Sequence, residues 1–256
     1  MKYFELEDGR KVYAKNYISN IHPHLTNKLL GEENLRPAYK KRIEKLKNTT
    51  SSFTLYLSFK KNTFPYLNYN IYDYFVEPKK VWDITEYDPD KWPDALFSCT
   101  PSNIEQGEFA DSLTVLTYMD YEETKLWSDS CNTAAYPGKR PKEYLEFKKN
   151  KEELVLKKLE ERFPGIRECI LSQYSSTPLT YKDYIGTEDG SLYGIKKDIN
   201  NTLATTINSK TKISNLFLTG QNVIFHGILG ATISALVTCM HFIEGDQLIK
   251  KIVNEQ

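Results

Sequence analysis

Between Asn215 and Val237 the chain places glycines and amides where a strand gives way to a helix. The run Asn215-Leu-Phe-Leu-Thr-Gly220 reads as a buried strand, Gln221-Asn222 and His226-Gly227 as a loop, and Ile228 to Ile243 as a buried helix. A helix start offers unpaired N–H groups and partial positive charge, suited to anions and electron-rich heteroatoms. Gly227 and Gly230 lack side chains and would let a flat ligand approach the backbone. The alternative at these positions is a glycine that merely packs helix against strand. His226 is the titratable group of this segment, placed either to face a ligand or to pack and cap.

Other groupings promise less chemistry. Ser234 and His241 are seven apart on one helix, too far along its axis to touch. Asp120 with Glu122-Glu123 follows a strand and reads as a solvated turn. His22-Pro-His24 has no Cys or Asp neighbour, so no metal is expected. Cys99, Cys131, Cys169 and Cys239 are widely spread and read as free thiols of a reducing compartment. Seven of the twelve glycines fall between Gly186 and Gly245, yet no Gly-x-Gly occurs. The chain therefore has neither of the glycine-rich loops that cradle nucleotide phosphates.

Elements must hold these residues in place. Phe4 and Leu6, Asp8-Gly9, then Val12 and Ala14 read as a hairpin, and Tyr17-Ile-Ser19 as a strand. Helices are expected over Leu25–Leu30, Leu35–Lys47 and Glu143–Phe163, the last with Leu145, Leu154, Val155, Leu159 and Phe163 inward and Pro164-Gly165 as its stop. Phe53–Phe59 and Leu113–Met119 read as strands, while Pro89, Pro93 and Pro101 mark irregular connections. The aromatics of Tyr66–Phe75 read as core filling, with a ligand- or partner-facing surface as the alternative. The basic run Lys40–Lys47 reads as a solvated helix face.

Composition sets outer bounds. The 256 residues are 40% hydrophobic and 27% charged, ordinary globular values that exclude a disordered chain. Thirty-four basic residues balance thirty-four acidic ones, so no overall field favours nucleic acid. Ile213 to Ile243 carries no Asp, Glu, Lys or Arg, but its helical part is about sixteen residues, short of the roughly twenty that span a bilayer. No leader is read before the first strand, so a cytoplasmic chain, membrane-peripheral at most, is expected.

The segments Leu216-Phe-Leu-Thr-Gly-Gln221, His226-Gly-Ile-Leu-Gly230 and Ala231-Thr-Ile-Ser-Ala-Leu236 resemble the C-terminal FAD-binding segment of the phytoene desaturase and retinol saturase family. Ser176-Thr-Pro-Leu-Thr-Tyr181 with Gly190-Ser-Leu-Tyr-Gly194 is similar to that family's threonine–proline and glycine motifs, and Leu6-Glu-Asp-Gly9 with Tyr17-Ile-Ser-Asn20 to its preceding strand pair. The likeness covers the family's second half and implies an α+β fold. An antiparallel-sheet substrate domain with flanking helices would occupy residues 23–209, and residues 1–22 and 210–256 would be partial segments of a Rossmann-like FAD-binding domain. It further implies that Gly220, Gln221, Gly227, Ile228, Leu229 and Gly230 line FAD, that the substrate is an apolar polyene, and that the partner is a dinucleotide-binding half or a second copy. Alone, such a chain is expected to be colourless and redox-inactive. A non-catalytic module for an apolar ligand or a protein partner is the competing expectation.

Overall fold

The alternating hairpin at the start forms as expected. In a computed structural model that describes residues 1–82, 87–101 and 107–254, β1 (Phe4–Glu5) pairs antiparallel with β2 (Lys11–Val12) across Gly9, whose φ of +81° suits glycine. β3 (Tyr17–Ser19) follows, then α1 (Pro23–Leu30) and α2 (Pro37–Glu44), each opened by a proline at its first helical position. The His22 imidazole caps α1: Nδ1 accepts from the His24 N–H at 3.2 Å while Nε2 lies 2.9 Å from Asn48 Oδ1. Among the described residues no three potential metal ligands cluster.

A five-stranded antiparallel sheet comes next, in the order β5 (Ile71–Tyr74), β6 (Ala95–Cys99), β7 (Ser112–Met119), β4 (Ser51–Phe59), β8 (Ile170–Ser176). Its register sets Leu55 opposite Val115 and Leu57 opposite Leu113, so one face is continuously apolar. The 21-residue α3 (Lys142–Arg162) covers that face with Val155, Leu156 and Leu159, and α4 (Ile166–Cys169) adds Ile166. Sequence reading turns Leu145 and Leu154 inward. Both are exposed, and Lys151 is buried in their stead, its ammonium 2.6 Å from Glu123 and 4.5 Å from the Trp92 ring centre. A lysine can sit inward because its charge is paired and its stem is apolar.

The polar segment after β8 begins with α5 (Pro178–Ile185). A capping box joins Thr177 and Thr180 across its start. Gly190 belongs to this packing, because a Cβ there would lie 2.0 Å from the Pro178 carbonyl oxygen. The chain then runs through α6 (Thr202–Thr205) to β9 (Leu216–Leu218), which pairs in parallel with β3, and ends in α7 (Gly227–Cys239) and α8 (Gly245–Asn254). No helix among the described residues is long and apolar enough to cross a membrane.

The chain divides into two compact units, residues 1–49 with 193–256, and residues 50–192. The second holds the five-stranded sheet and its core. The first has its own smaller core of Ile43, Ile195, Ile207, Leu218 and Val223. Residues 23–49 and 193–209, grouped by the sequence with the central segment, pack in the unit that contains both ends of the chain.

Candidate functional site

The expected site lies in the first unit, on the turn from β9 into α7. Gly220 through Val223 form a tight turn closed by the Val223 N–H donating to the Gly220 carbonyl at 3.1 Å. The turn is anchored from below by Lys197, whose ammonium donates to the carbonyls of Asn222 at 2.7 Å and Thr205 at 2.9 Å. Burial, helped by the Arg42 charge, pushes the Lys197 amine down to about 8. The Asn222 side chain accepts from the Ile195 N–H at 2.9 Å, and Gly194 leaves room for that amide. Sequence reasoning missed Lys197 and Asn222, because a single lysine and a single asparagine carry no periodic signal.

The six residues singled out by sequence are brought into one segment but do not share one role. Gly220, buried at φ +94°, is glycine because a Cβ would lie 1.9 Å from Asn20 Oδ1. Gly230 is likewise closed in, a Cβ there falling 2.3 Å from the Phe225 carbonyl oxygen. At these two positions the packing itself requires glycine. Gly227, at φ +78°, has nothing within 4 Å of where a Cβ would be. Gln221 is half-buried and its amide has no hydrogen-bond partner among the described residues. Ile228 and Leu229 are 91% and 73% exposed.

α7 is thus not the buried helix its uniform hydropathy predicts. It buries the small residues Gly230, Ser234 and Thr238, with Thr238 Oγ1 donating to the Leu218 carbonyl of β9 at 3.1 Å, and turns larger apolar side chains outward. Small residues four apart allow close backbone approach, and that spacing was the available sequence signal. No side chain caps the first turn, so N–H groups of Gly227, Ile228 and Leu229 open onto an apolar surface that includes Phe225.

His226, just before α7, does not aim at that surface. Its Nε2 donates to the Ile195 carbonyl at 2.7 Å and its ring stacks on Tyr193 with centres 5.8 Å apart. Burial first, then the Lys197 charge, holds its pKa below the ordinary histidine value. The imidazole packs and fastens the loop. His241 pairs instead with Ser209 Oγ at 2.7 Å, and Ser234 is wholly buried, so these two form no dyad. The carboxylates after β7 divide as well. Asp120 caps a short turn by accepting from the Glu122 N–H at 3.0 Å, and Glu123, far from being solvated, is buried against Lys151 and accepts from the Tyr87 hydroxyl.

The second unit offers a different surface. Strand alternation turns Tyr56, Tyr72, Tyr74 and Tyr174 away from the α3-covered core, and all four are exposed. Tyr56 stacks on Tyr174 with centres 6.3 Å apart, and Tyr72 meets Phe97 at 5.0 Å. A cleft of about 70 Å³ lies among Tyr72, Tyr74, Phe97, Leu116 and Tyr118. Within Tyr66–Phe75, Tyr66 packs against the core, while Tyr69, Tyr72, Tyr74 and Phe75 are exposed, which corrects the core-filling reading for these four. One end of the face is closed by α5, where the Tyr181 hydroxyl lies 3.0 Å from Thr54 Oγ1.

No family model matches the chain. It is 27% identical over 219 residues to all-trans-retinol 13,14-reductase of Danio rerio, covering 79% of this chain and 35% of that protein. Against the Rattus norvegicus protein of the same name it is 26% identical over 244 residues, covering 88% and 39%. The chain therefore spans less than two fifths of the length of these relatives. In fold it is similar to an oxidoreductase from Methanosarcina mazei, with a TM-score of 0.51, 15% identity, and coverage of 94% of this chain and 48% of that one. These matches make the chain similar in sequence to part of the all-trans-retinol 13,14-reductases, and in fold to part of an oxidoreductase.

Proposed function

We propose that this chain supplies part of a FAD-dependent oxidoreductase acting on carbon–carbon bonds of an apolar, retinoid- or polyene-like substrate, and that it is inactive by itself. The observation that carries the reading is the start of α7, where uncapped N–H groups, a bare positive-φ glycine and the exposed Ile228 and Leu229 meet on a firmly held loop.

The residues fit the flavin. Gly227 leaves the backbone open to a flat ring, since no atom lies within 4 Å of its missing Cβ, and the free Gln221 amide can donate and accept beside it. FAD, when bound, supplies hydride transfer to or from a carbon–carbon bond. This chain's part is electrostatic and steric. The N–H groups and dipole of α7 favour negative charge at the helix start, while Phe225, Ile228 and Leu229 keep water from that surface. Gly220 and Gly230 hold the turn rather than touch the cofactor. In this reading the β3–β9 pair and α7 are partial segments of a Rossmann-like FAD domain, and the aromatic sheet face of the second unit receives the substrate.

The test is reconstitution. The purified chain is expected to be colourless, and to retain flavin only when co-expressed with a dinucleotide-binding polypeptide equivalent to the remainder of a retinol reductase. Gly227→Val and Ile228→Asp should then lose the flavin absorbance, while Leu203→Ser, an exposed position elsewhere, keeps it. A stoichiometric flavin on the chain alone would overturn its dependence on a second polypeptide. Failure to take up flavin in any pairing would overturn the flavin reading. The exposed tyrosines favour one second reading, a non-catalytic apolar-ligand module; retinoid bound by the chain without flavin, and released by Tyr56→Ser with Tyr174→Ser, would establish it.

A further inference from the structure

A further cavity lies in the first unit, and its reading does not rest on the flavin. It has a volume of about 380 Å³, within the range of small-molecule sites, and is walled by α1, α2 and the segment from Asn208 to Ile213. Its ionisable lining is one-sided. Arg36, Arg42, Lys210 and Lys212 border it, and among the described residues no Asp or Glu does. None of the four forms an ion pair among the described residues, although the chain as a whole has equal numbers of acidic and basic groups.

Two further features make this a built site. Asn27 is more than nine-tenths buried, lines the cavity, and its side-chain amide has no hydrogen-bond partner among the described residues. The amide atoms are accessible from the cavity and can bond whatever occupies it. Arg42 is held in advance. One of its nitrogens donates to the carbonyls of Ala204 at 3.2 Å and Thr206 at 3.1 Å, and its guanidinium lies over the Tyr39 ring, which leaves the rest of the fork fixed in direction. The floor is apolar, from Leu30, Leu35 and Leu218.

We propose that this cavity binds a compact organic oxyanion, a carboxylate or monophosphate carried on a small apolar body. The anionic group sits among Arg36, Lys210 and Lys212, the body lies on the leucine floor beside Tyr39, and Asn27 hydrogen-bonds a polar atom between them. Multiple cations around one apolar-floored hollow favour charge and body together, so the body adds affinity that a bare ion lacks.

Titration calorimetry on the full chain with phenyl phosphate, benzoate and inorganic phosphate tests this. Saturable one-to-one binding is expected for phenyl phosphate or benzoate, at least about tenfold tighter than for inorganic phosphate. Whichever of the two binds more tightly identifies the oxyanion. The double variant Arg36→Gln with Lys210→Gln, both at exposed side chains, should weaken it by about tenfold or more, as should Asn27→Asp, which sets a carboxylate against the ligand. Lys149→Gln, an exposed lysine of the other unit, should leave it unchanged. Circular dichroism of each variant separates lost binding from lost folding. Binding that is equal in all variants, or no saturable binding of either organic anion up to about 10 mM, overturns the proposal.

Discussion

Lys197, His226 and Asn20 are the residues on which the candidate loop depends, and each gives a measurable consequence. His226 is held neutral by burial and by the Lys197 charge, against the Ile195 carbonyl it donates to. Its position at the positive end of α7 acts in the same sense. A histidine with a folded pKa below its unfolded value binds its proton more readily when unfolded, so its contribution is present above about pH 6.5 and is lost as pH falls below that. Denaturant unfolding should show stability falling below pH 6.5, with a shallower fall in His226→Gln. Gly220→Ala forces a Cβ into Asn20 Oδ1 at a φ that disfavours side chains, an expected loss of about 2–4 kcal/mol. Adding Asn20→Ala removes the clash but not the backbone strain, so a double-mutant cycle should show recovery of about 1 kcal/mol or more. Of these residues, only Gly220 and His226 stood out in the sequence. Lys197 acts through three carbonyls far from it along the chain, contacts that no local pattern encodes.

Elements were most legible where period and burial agree. The alternation of β4 and β7 and the long amphipathic pattern of α3 follow from one face meeting one core. Two strands of the sheet, β6 and the edge strand β8, were not legible. β6 lies between two prolines, and the first five residues of β8 are half-buried or exposed, so neither shows the contrast that marks a strand. The orientation of α7 was hidden for a different reason: with no charge on any face, hydropathy cannot say which side packs. The structure answers with Ser234, fully buried, where Ser234→Leu should cost about 1–3 kcal/mol by overpacking. Leu159 is the opposite case, a fully buried side chain at the centre of the α3 contact with the sheet. Leu159→Ala should cost about 2–5 kcal/mol in chemical denaturation, reported by loss of the β-sheet signal.

For the molecule as a whole, what matters is the apolar surface it leaves uncovered and the charge it lacks. Phe225, Ile228 and Leu229 at the start of α7, with Met240 and Phe242 beyond its end, are exposed on a segment without a charged side chain from Ile213 to Ile243. Soluble chains that expose contiguous apolar residues associate through them unless repulsion prevents it. Repulsion is weakest here near neutrality, because thirty-four basic and thirty-four acidic groups cancel and the pI is about 6.9. Light scattering should therefore show association that grows with concentration and is strongest near pH 7, declining to either side as net charge builds. Ile228→Asp with Leu229→Asp removes apolar area and adds negative charge at a helix N-terminus, where it is tolerated, so this variant should stay monomeric without losing stability. If self-association survives that change, the edges of the β1–β2 pair, not the α7 surface, are what draw copies together.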